Sequence, residues 1–420
     1  MVYSFNKKEG ILIYWNPLKI LGAIKKMKES LFNYRFEYEN QKYIFNTNNN
    51  GLIQINNDIF TEEEREYLRV NRFWVDDNED EIALLEREIN HNIQKRQKEL
   101  ELTIALTNYC NFSCVYCYQN KNEKLMTTEV ANMIIEKIDR ILNDNIFEGI
   151  NIHYFGGEPL LNIPVLIYLD DNIKKITAKI GIVYKAFLTT NGSMLSKELL
   201  QKVKFSSIQL TFDGLEKTHD RLRVSDHFHF KEEIELIENI MNFSQAKVLL
   251  RTNICKENKD EIIALHKYIF EKFGNERIEI NPNRTIKYHQ DDSFEMLSVQ
   301  EYAEVAYQIK LLWSEQKGKF ELPVPRSTPC KFPYGNAYAI SPEGYCTFCS
   351  GSMDQEKKYF FDVDIENKKM FSVRKECKKC NILPLCLGGC IIQYNLRAGA
   401  CTYEKYELKN ILISYIKHIS

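Results

Sequence analysis

The sequence predicts an α/β chain built on a partial (β/α)6 TIM barrel, with a small mixed domain before it and a cysteine-rich region after it. Three observations lead there. Six strand-like apolar runs alternate with six helical patterns between residue 101 and about residue 320, and such alternation builds a parallel sheet covered by helices. Six units fall short of the eight that close a barrel, so the sheet should stay open on one side, with functional groups at the C-terminal ends of its strands. Finally, none of the 12 cysteines lies in the first hundred residues, and six fall between 346 and 390.

The 420 residues are 44% hydrophobic and 27% charged, which excludes global disorder. No apolar run approaches the ~18 residues of a membrane span, so no membrane partner is expected. The start, MVYSFNKKEGILIYW, lacks the basic-apolar-small order of a secretory signal, which makes the cytoplasm the expected location. Lys+Arg 56 against Asp+Glu 58 leaves a net charge of -2, and nucleic acid is not an expected partner. In a reducing compartment, clustered cysteines bind metal or do chemistry rather than staple the chain.

Residues 1–98 read as a domain of their own. Pro17 suits the opening of a helix running to about Leu31. FNYRFEY, KYIFN and LIQIN alternate as strands, with a turn at Asn48–Gly51. Thr61 and Glu64 form a capping box for the helix EEEREYLRV. RFWVDD reads as a short strand, and the charged, helix-forming stretch from Asn78 to Leu100 as a connection to the barrel.

Across 99–322 the expected strands are 101–107, 149–155, 182–190, 206–212, 247–254 and 277–283. Helical patterns follow each of them. From 323 to 420 short polar turns and cysteines take over until a terminal amphipathic helix, YEKYELKNILISYIKHI. A region with so few apolar residues is expected to be stapled by metal.

Cys110, Cys114 and Cys117 follow directly on the first strand as C-x3-C-x2-C. Thiolates are soft ligands that suit zinc, Cu(I) or iron–sulfur clusters. Three cysteines so spaced can hold three irons of a [4Fe–4S] cube and leave the fourth open. The loop CNFSCVYCY, with Tyr116 before its last cysteine, resembles the signature of radical S-adenosylmethionine (SAM) enzymes. The resemblance implies that SAM chelates the open iron and is split into methionine and a 5′-deoxyadenosyl radical. Gly156-Gly157-Glu158-Pro159 at the second strand end is similar to the family's GGEP, which contacts the SAM amino group, with Glu158 as an acceptor for the ammonium. Asn191 at the third strand end, Thr211 at the fourth and Arg251 at the fifth are the remaining expected SAM contacts, and Asn253 stands beside Arg251. Thr211-Phe212-Asp213-Gly214 with His219, Asp220, Arg221 and Arg223 resembles the family's SxDG…HDxxR stretch, and the His-Asp-Arg group reads as a structural network.

Cys377-x2-Cys380-x5-Cys386-x3-Cys390 is the sharpest spacing in the chain, with Gly388 and Gly389 supplying tight turns. Together with Cys330, Cys349 and Cys401 it resembles the seven-cysteine pattern of the SPASM domain, which carries auxiliary [4Fe–4S] clusters. The resemblance implies an outer cluster on Cys377, Cys380, Cys386 and Cys401, and an inner one on Cys330, Cys349 and Cys390. Either Cys346 completes the inner cluster or one iron stays open to a substrate thiolate. Three [4Fe–4S] clusters and SAM are thus the expected cofactors. Structural zinc is the alternative for the four-cysteine sites.

Enzymes of the radical SAM/SPASM type mostly modify peptides. The N-terminal domain resembles the winged-helix element that docks a precursor's leader as an added strand, for which YIFN and FNYRFEY are suited. The expected activity is thioether crosslinking of a ribosomally made precursor peptide, with a flavodoxin or ferredoxin as electron donor. Carbon–carbon crosslinking, epimerisation and sulfatase-type maturation are alternatives within the same chemistry. Ser350 stands where sulfatase maturases carry an Asp base, which counts against the last. Cys255 and Cys346 are the candidates for a catalytic hydrogen donor. A zinc-bound peptide-binding module is the non-enzymatic alternative.

Overall fold

The computed structural model describes the backbone of residues 3–4 and residues 26–55, 60–144, 147–274, 277–287, 293–334, 336–347, 349–352, 358–363, 370–390 and 401–419. The chain divides into two compact units that are not sequential. The first comprises Met1–Asn92, Trp313–Cys330 and Met370–Ser420, and the second Ile93–Leu312 and Lys331–Lys369.

The first unit begins with β1 (Tyr3–Ser4), β2 (Met27–Glu29), β3 (Asn33–Tyr38), β4 (Gln41–Asn46) and β5 (Gly51–Ile55). Helix α1 (Glu62–Val70), β6 (Trp74–Asp76) and α2 (Glu81–Arg96) follow. Most of the helix expected after Pro17 lies outside the described residues, and its tail is strand β2, paired with β6. The antiparallel sheet has the order β1-β5-β4-β3. Alternation sends neighbouring residues to opposite faces. Phe36, Phe45 and Leu52 pack with Ile382, Leu385, Leu408, Leu412 and Ile416. Ile44, Ile53 and Ile55 pack with Leu68 and Phe73 on the other side. KYIFN is therefore a central strand between β3 and β5, and among the described residues the sheet's edges are β1 and β3, the latter formed by FNYRFEY. Thr61 and Glu64 form the expected capping box of α1. The charged stretch from Asn78 is no free connection. Glu81 accepts from Ser30 Oγ and Leu31 N, and Glu86 accepts from Val373 N.

The second unit holds β7 (Glu99–Ala105), α3 (Thr128–Asp144), β8 (Gly149–Phe155), α4 (Ile163–Ile180), β9 (Val183–Thr189) and α5 (Lys197–Lys202). It continues with β10 (Phe205–Thr211), α6 (Glu216–Leu222), α7 (Phe230–Phe243), β11 (Lys247–Ile254), α8 (Ile262–Phe273), β12 (Ile278–Arg284) and α9 (Val299–Lys317). Next come α10 (Lys331–Tyr334), β13 (Ala337–Ile340), β14 (Tyr345–Thr347) and β15 (Lys358–Tyr359). Back in the first unit, the chain ends its described elements with α11 (Leu383–Cys386) and α12 (Glu404–Ile419).

The six expected strands form one parallel sheet in the order β12-β11-β10-β9-β8-β7, and the sheet continues through β13, β14 and β15. β13 adds to β7 in parallel, an extension the repeating pattern did not announce. Along each strand, residues such as Leu102, Ile104, Ile150, Ile152, Ile208 and Leu250 are wholly buried. The alternate positions Asn151, His153, Gln209, Arg251 and Asn253 are only half-buried, so one face is apolar core and the other polar. Among the described residues, no helix is long and apolar enough to cross a membrane.

Candidate active site

The site grows from the C-terminal ends of β7 to β11. After β7 the chain turns at Thr107, whose Oγ1 donates to Lys124 O at 2.9 Å and accepts from Tyr109 N at 2.9 Å. Gly157 N donates to Thr107 O and Glu158 N to Tyr109 O, both at 2.9 Å. This approach explains the glycine pair. A Cβ on Gly156 would stand 2.3 Å from Thr107 O, and one on Gly157 would stand 2.2 Å from Tyr109 O. Gly156 also holds φ +136°. The GGE turn is thus moulded onto the two peptides ahead of Cys110.

Cys110, Cys114 and Cys117 are half-buried on this loop. Cys117 N donates to Cys114 O at 3.2 Å. Phe112 N donates to Cys110 Sγ at 3.4 Å, and Asn191 Nδ2 approaches the same sulfur at 3.8 Å. Asn191 Nδ2 also donates to Asn111 Oδ1 at 2.8 Å. From the other side, Ser113 N donates to Val224 O and Val115 N to Leu222 O.

Glu158 is fully buried. Oε1 accepts from Thr190 Oγ1 at 2.6 Å and from Leu160 N at 3.0 Å, and Oε2 accepts from Asn191 N at 2.6 Å. Burial pushes this carboxyl up to about 7 against those donors. The carboxylate expected to meet an ammonium accepts from the third strand end and from its own turn, and it braces the loop through Asn191.

Tyr116 donates to Asp213 Oδ2, and Asn253 N donates to Asp213 Oδ1 at 2.7 Å. Thr211 and Arg251 are register partners at the ends of β10 and β11, and Arg251 Nε donates to Asn253 Oδ1 at 2.9 Å. The expected His-Asp-Arg group is divided. His219 is buried against Glu233, with Nε2 3.2 Å from Oε2. Asp220 accepts from Phe230 N at the start of α7, and Arg221 is exposed. Cys255 is 0% exposed, packs with Leu222, Phe294, Val115 and Tyr116, and donates to Asn258 Oδ1. Burial pushes its thiol up to about 12. That is the environment of a packing cysteine rather than of a donor facing substrate. The Asp213–Tyr116 bond was not read from sequence. The DG pair directly after a strand was the available signal.

In the first unit, Gly388 and Gly389 hold φ +82° and +70° between Cys386 and Cys390. Cys377 lies within Coulomb reach of Cys380 and Cys401, and Cys386 within reach of Cys380. Arg374 donates to Gly388 O beside them. Of the other cysteines expected to bind a cluster, Cys330 and Cys390 belong to the first unit, and Cys346 and Cys349 to the second. Cys346 is buried on β14, and Cys349 Sγ accepts from Gly351 N at 3.3 Å.

Among the described residues, no group of three or more His, Cys, Asp or Glu side chains is gathered as around a metal ion. The donor chemistry still fits an iron–sulfur cluster. Burial pushes Cys110 up, and Cys114 up to about 11, and the neighbouring thiols add to both shifts. Three soft sulfurs on one short loop are a donor set that a cationic cluster satisfies.

Comparison with known proteins places this geometry. Residues 104–269 match the radical SAM superfamily, whose members use a [4Fe–4S] cluster and SAM. An uncharacterised protein of Methanocaldococcus jannaschii is 35% identical over 123 residues, 27% of this chain and 39% of its own length. The radical SAM cyclopropyl synthase TigE of Paramaledivibacter caminithermalis is 24% identical over 372 residues, 78% of this chain and 76% of its own. Among solved structures, anSMEcpe with bound AdoMet and a Cp18Cys peptide superposes with a TM-score of 0.60 at 18% identity, covering 76% of this chain and 98% of that one. Streptococcus suis SuiB bound to its precursor peptide SuiA gives 0.52 at 16% identity, covering 88% and 97%. The two structures establish a shared fold. The residues that match the radical SAM superfamily include the cysteine loop, the GGE turn and the strand ends that brace it.

Proposed function

We propose that the chain modifies a ribosomally made precursor peptide by radical SAM chemistry, forming thioether crosslinks from cysteine sulfur to a peptide carbon. The observation that carries the chemistry is the cysteine loop clamped by Gly157, Glu158 and Asn191 at the ends of parallel strands. Support for a peptide substrate comes from the neighbours in fold, which were solved with a Cp18Cys peptide and with the precursor SuiA.

In this reading Cys110, Cys114 and Cys117 hold the cluster at which SAM binds. When bound, the cluster and SAM supply a reducing electron and a carbon radical able to take a hydrogen atom. The residues of the chain position and enclose. Gly156 and Gly157 would give SAM close backbone approach, Tyr116 and Asn191 hold the loop, Thr211 would contact SAM, and Arg251 and Asn253 would reach its carboxylate or ribose. Glu158 acts through its brace. Cys377, Cys380, Cys386 and Cys401 hold an auxiliary cluster, and the seven-cysteine spacing supports a further one, three in all. Residues 1–98 recognise the leader, which adds to the β3 edge. A flavodoxin or ferredoxin delivers the electron. Cys255 serves packing.

A second reading is carbon–carbon bond formation, favoured by the similarity to TigE, a cyclopropyl synthase, along most of the chain. One experiment separates the two. The anaerobic protein is incubated in deuterated water with SAM, a reductant and a cysteine-containing precursor peptide encoded beside its gene, followed by exact mass. Loss of two hydrogens per modification, with thiols no longer alkylatable, is the expected outcome. The same loss with free thiols selects the second reading. Deuterium gain without loss means epimerisation. Activity retained in a Cys110/Cys114/Cys117→Ala variant, or a colourless protein with stoichiometric zinc, refutes the chemistry.

A further inference from the structure

Arg223 occupies an unusual place. Leu222 O accepts from Val115 N and Val224 O from Ser113 N, at 3.0 and 2.8 Å. Those two bonds clip Arg223 opposite Cys114, each residue between the bonded pairs. The guanidinium lies 5.3 Å from the Phe112 ring centroid, on the cysteine loop itself. Its side chain is 6% exposed. Its counter-charge, Glu233, is wholly buried and more remote, with Arg223 Nε 4.0 Å from Glu233 Oε2. Neither Arg223 Nε nor either Glu233 carboxylate oxygen has a hydrogen-bond partner. Glu233 is held from behind by His219, whose Nδ1 accepts from Asp213 N.

The arrangement is a buried dipole whose positive end abuts the cysteine loop and whose negative end is anchored one layer back. Buried charges are weakly screened. The Arg223 charge accordingly acts on Cys114, Asp213 and Glu158 together. A structural pair needs short hydrogen bonds to offset its desolvation. Between Arg223 Nε and Glu233 there is no such bond, so the guanidinium charge is left to act on the loop.

We infer that Arg223 is a positioning cation that sets the reduction potential of the cluster held by Cys110, Cys114 and Cys117, with Glu233 as its opposing charge. The inference rests on the reading that this loop carries a cluster. Potentials of such clusters follow nearby charge and hydrogen bonding. A cation beside the cluster favours the reduced form, which carries one more electron.

The test is an EPR-monitored redox titration of the anaerobic full-length protein, following the signal that changes when SAM is added. Arg223→Gln is expected to move the midpoint to more negative values. Glu233→Gln is expected to move it the opposite way, at unchanged iron content. Arg223→Lys, which keeps the charge, stays near the unaltered protein, and the Arg223→Gln/Glu233→Gln double variant returns toward it. Should Arg223→Gln fail to fold, Glu233→Gln and the double variant still decide. Unmoved midpoints, or shifts in the same direction for both single variants, overturn the inference alone. Absence of any SAM-responsive signal in the unaltered protein overturns the cluster reading and the inference with it.

Discussion

A methyl group at position 157 would stand 2.2 Å from the carbonyl of Tyr109, and that carbonyl is backbone with no side chain to move aside. Gly157→Ala must therefore push the cysteine loop off the GGE turn. It is expected to lower iron retained by the protein, read by iron analysis after anaerobic purification, while far-ultraviolet circular dichroism stays close to that of the unaltered chain. Glu158 makes a different prediction. Glu158→Gln puts an amide N–H against Thr190 and Leu160 or against Asn191 N, and orphaning one donor costs roughly 1–3 kcal/mol. The pH dependence has a fixed sign. The folded carboxyl is raised from 4.5 to about 7, so its contribution is full below about 4.5 and is lost as pH rises through about 7. Thermal unfolding from pH 5 to 8 should show the margin of the unaltered protein over the variant narrowing with rising pH. Sequence spacing identified the cysteines and the glycines because close approach and soft ligation select residue types. It did not foresee the donors that meet the Glu158 carboxylate, since two of them, Thr190 Oγ1 and Asn191 N, lie on another strand end. It also grouped His219 with Asp220 and Arg221, which helix α6 separates onto different faces.

At the scale of elements, β8 and β11 span the residues expected of them, because alternating burial and bounding turns mark both ends. β13 was invisible for the converse reason. Its four residues are all buried, so the period-two signature is missing, and its partner β7 lies more than two hundred positions earlier. The position of KYIFN within its sheet was equally hidden, since pairing order is not written in any one strand. Helix α12 carries a testable load. Leu412 is 0% exposed and packs with Phe36, Phe45 and Leu52 of the N-terminal sheet. Leu412→Ala should cost about 2–5 kcal/mol, read as a lowered urea midpoint of the fluorescence transition. An unchanged midpoint would mean that the helix is not part of that core.

For the whole molecule, the cysteine sets make a stoichiometric prediction. Three four-iron clusters amount to about twelve irons per chain. Replacing Cys377, Cys380, Cys386 and Cys401 by Ala should remove about four of them and leave the SAM-responsive signal in place. Loss of that signal as well, or full iron retained, would refute the assignment of these four to one site. The order in which the chain is made also matters. The first strand of the parallel sheet gains its second neighbour only when Ala337–Ile340 exists, and the N-terminal sheet gains part of its core only with Leu408, Leu412 and Ile416. Segments made early must wait on segments made late in both units. During that interval on the ribosome, one edge of β7 and one apolar sheet face stand unprotected, so slowed translation of the last third of the message should favour aggregates over enzyme.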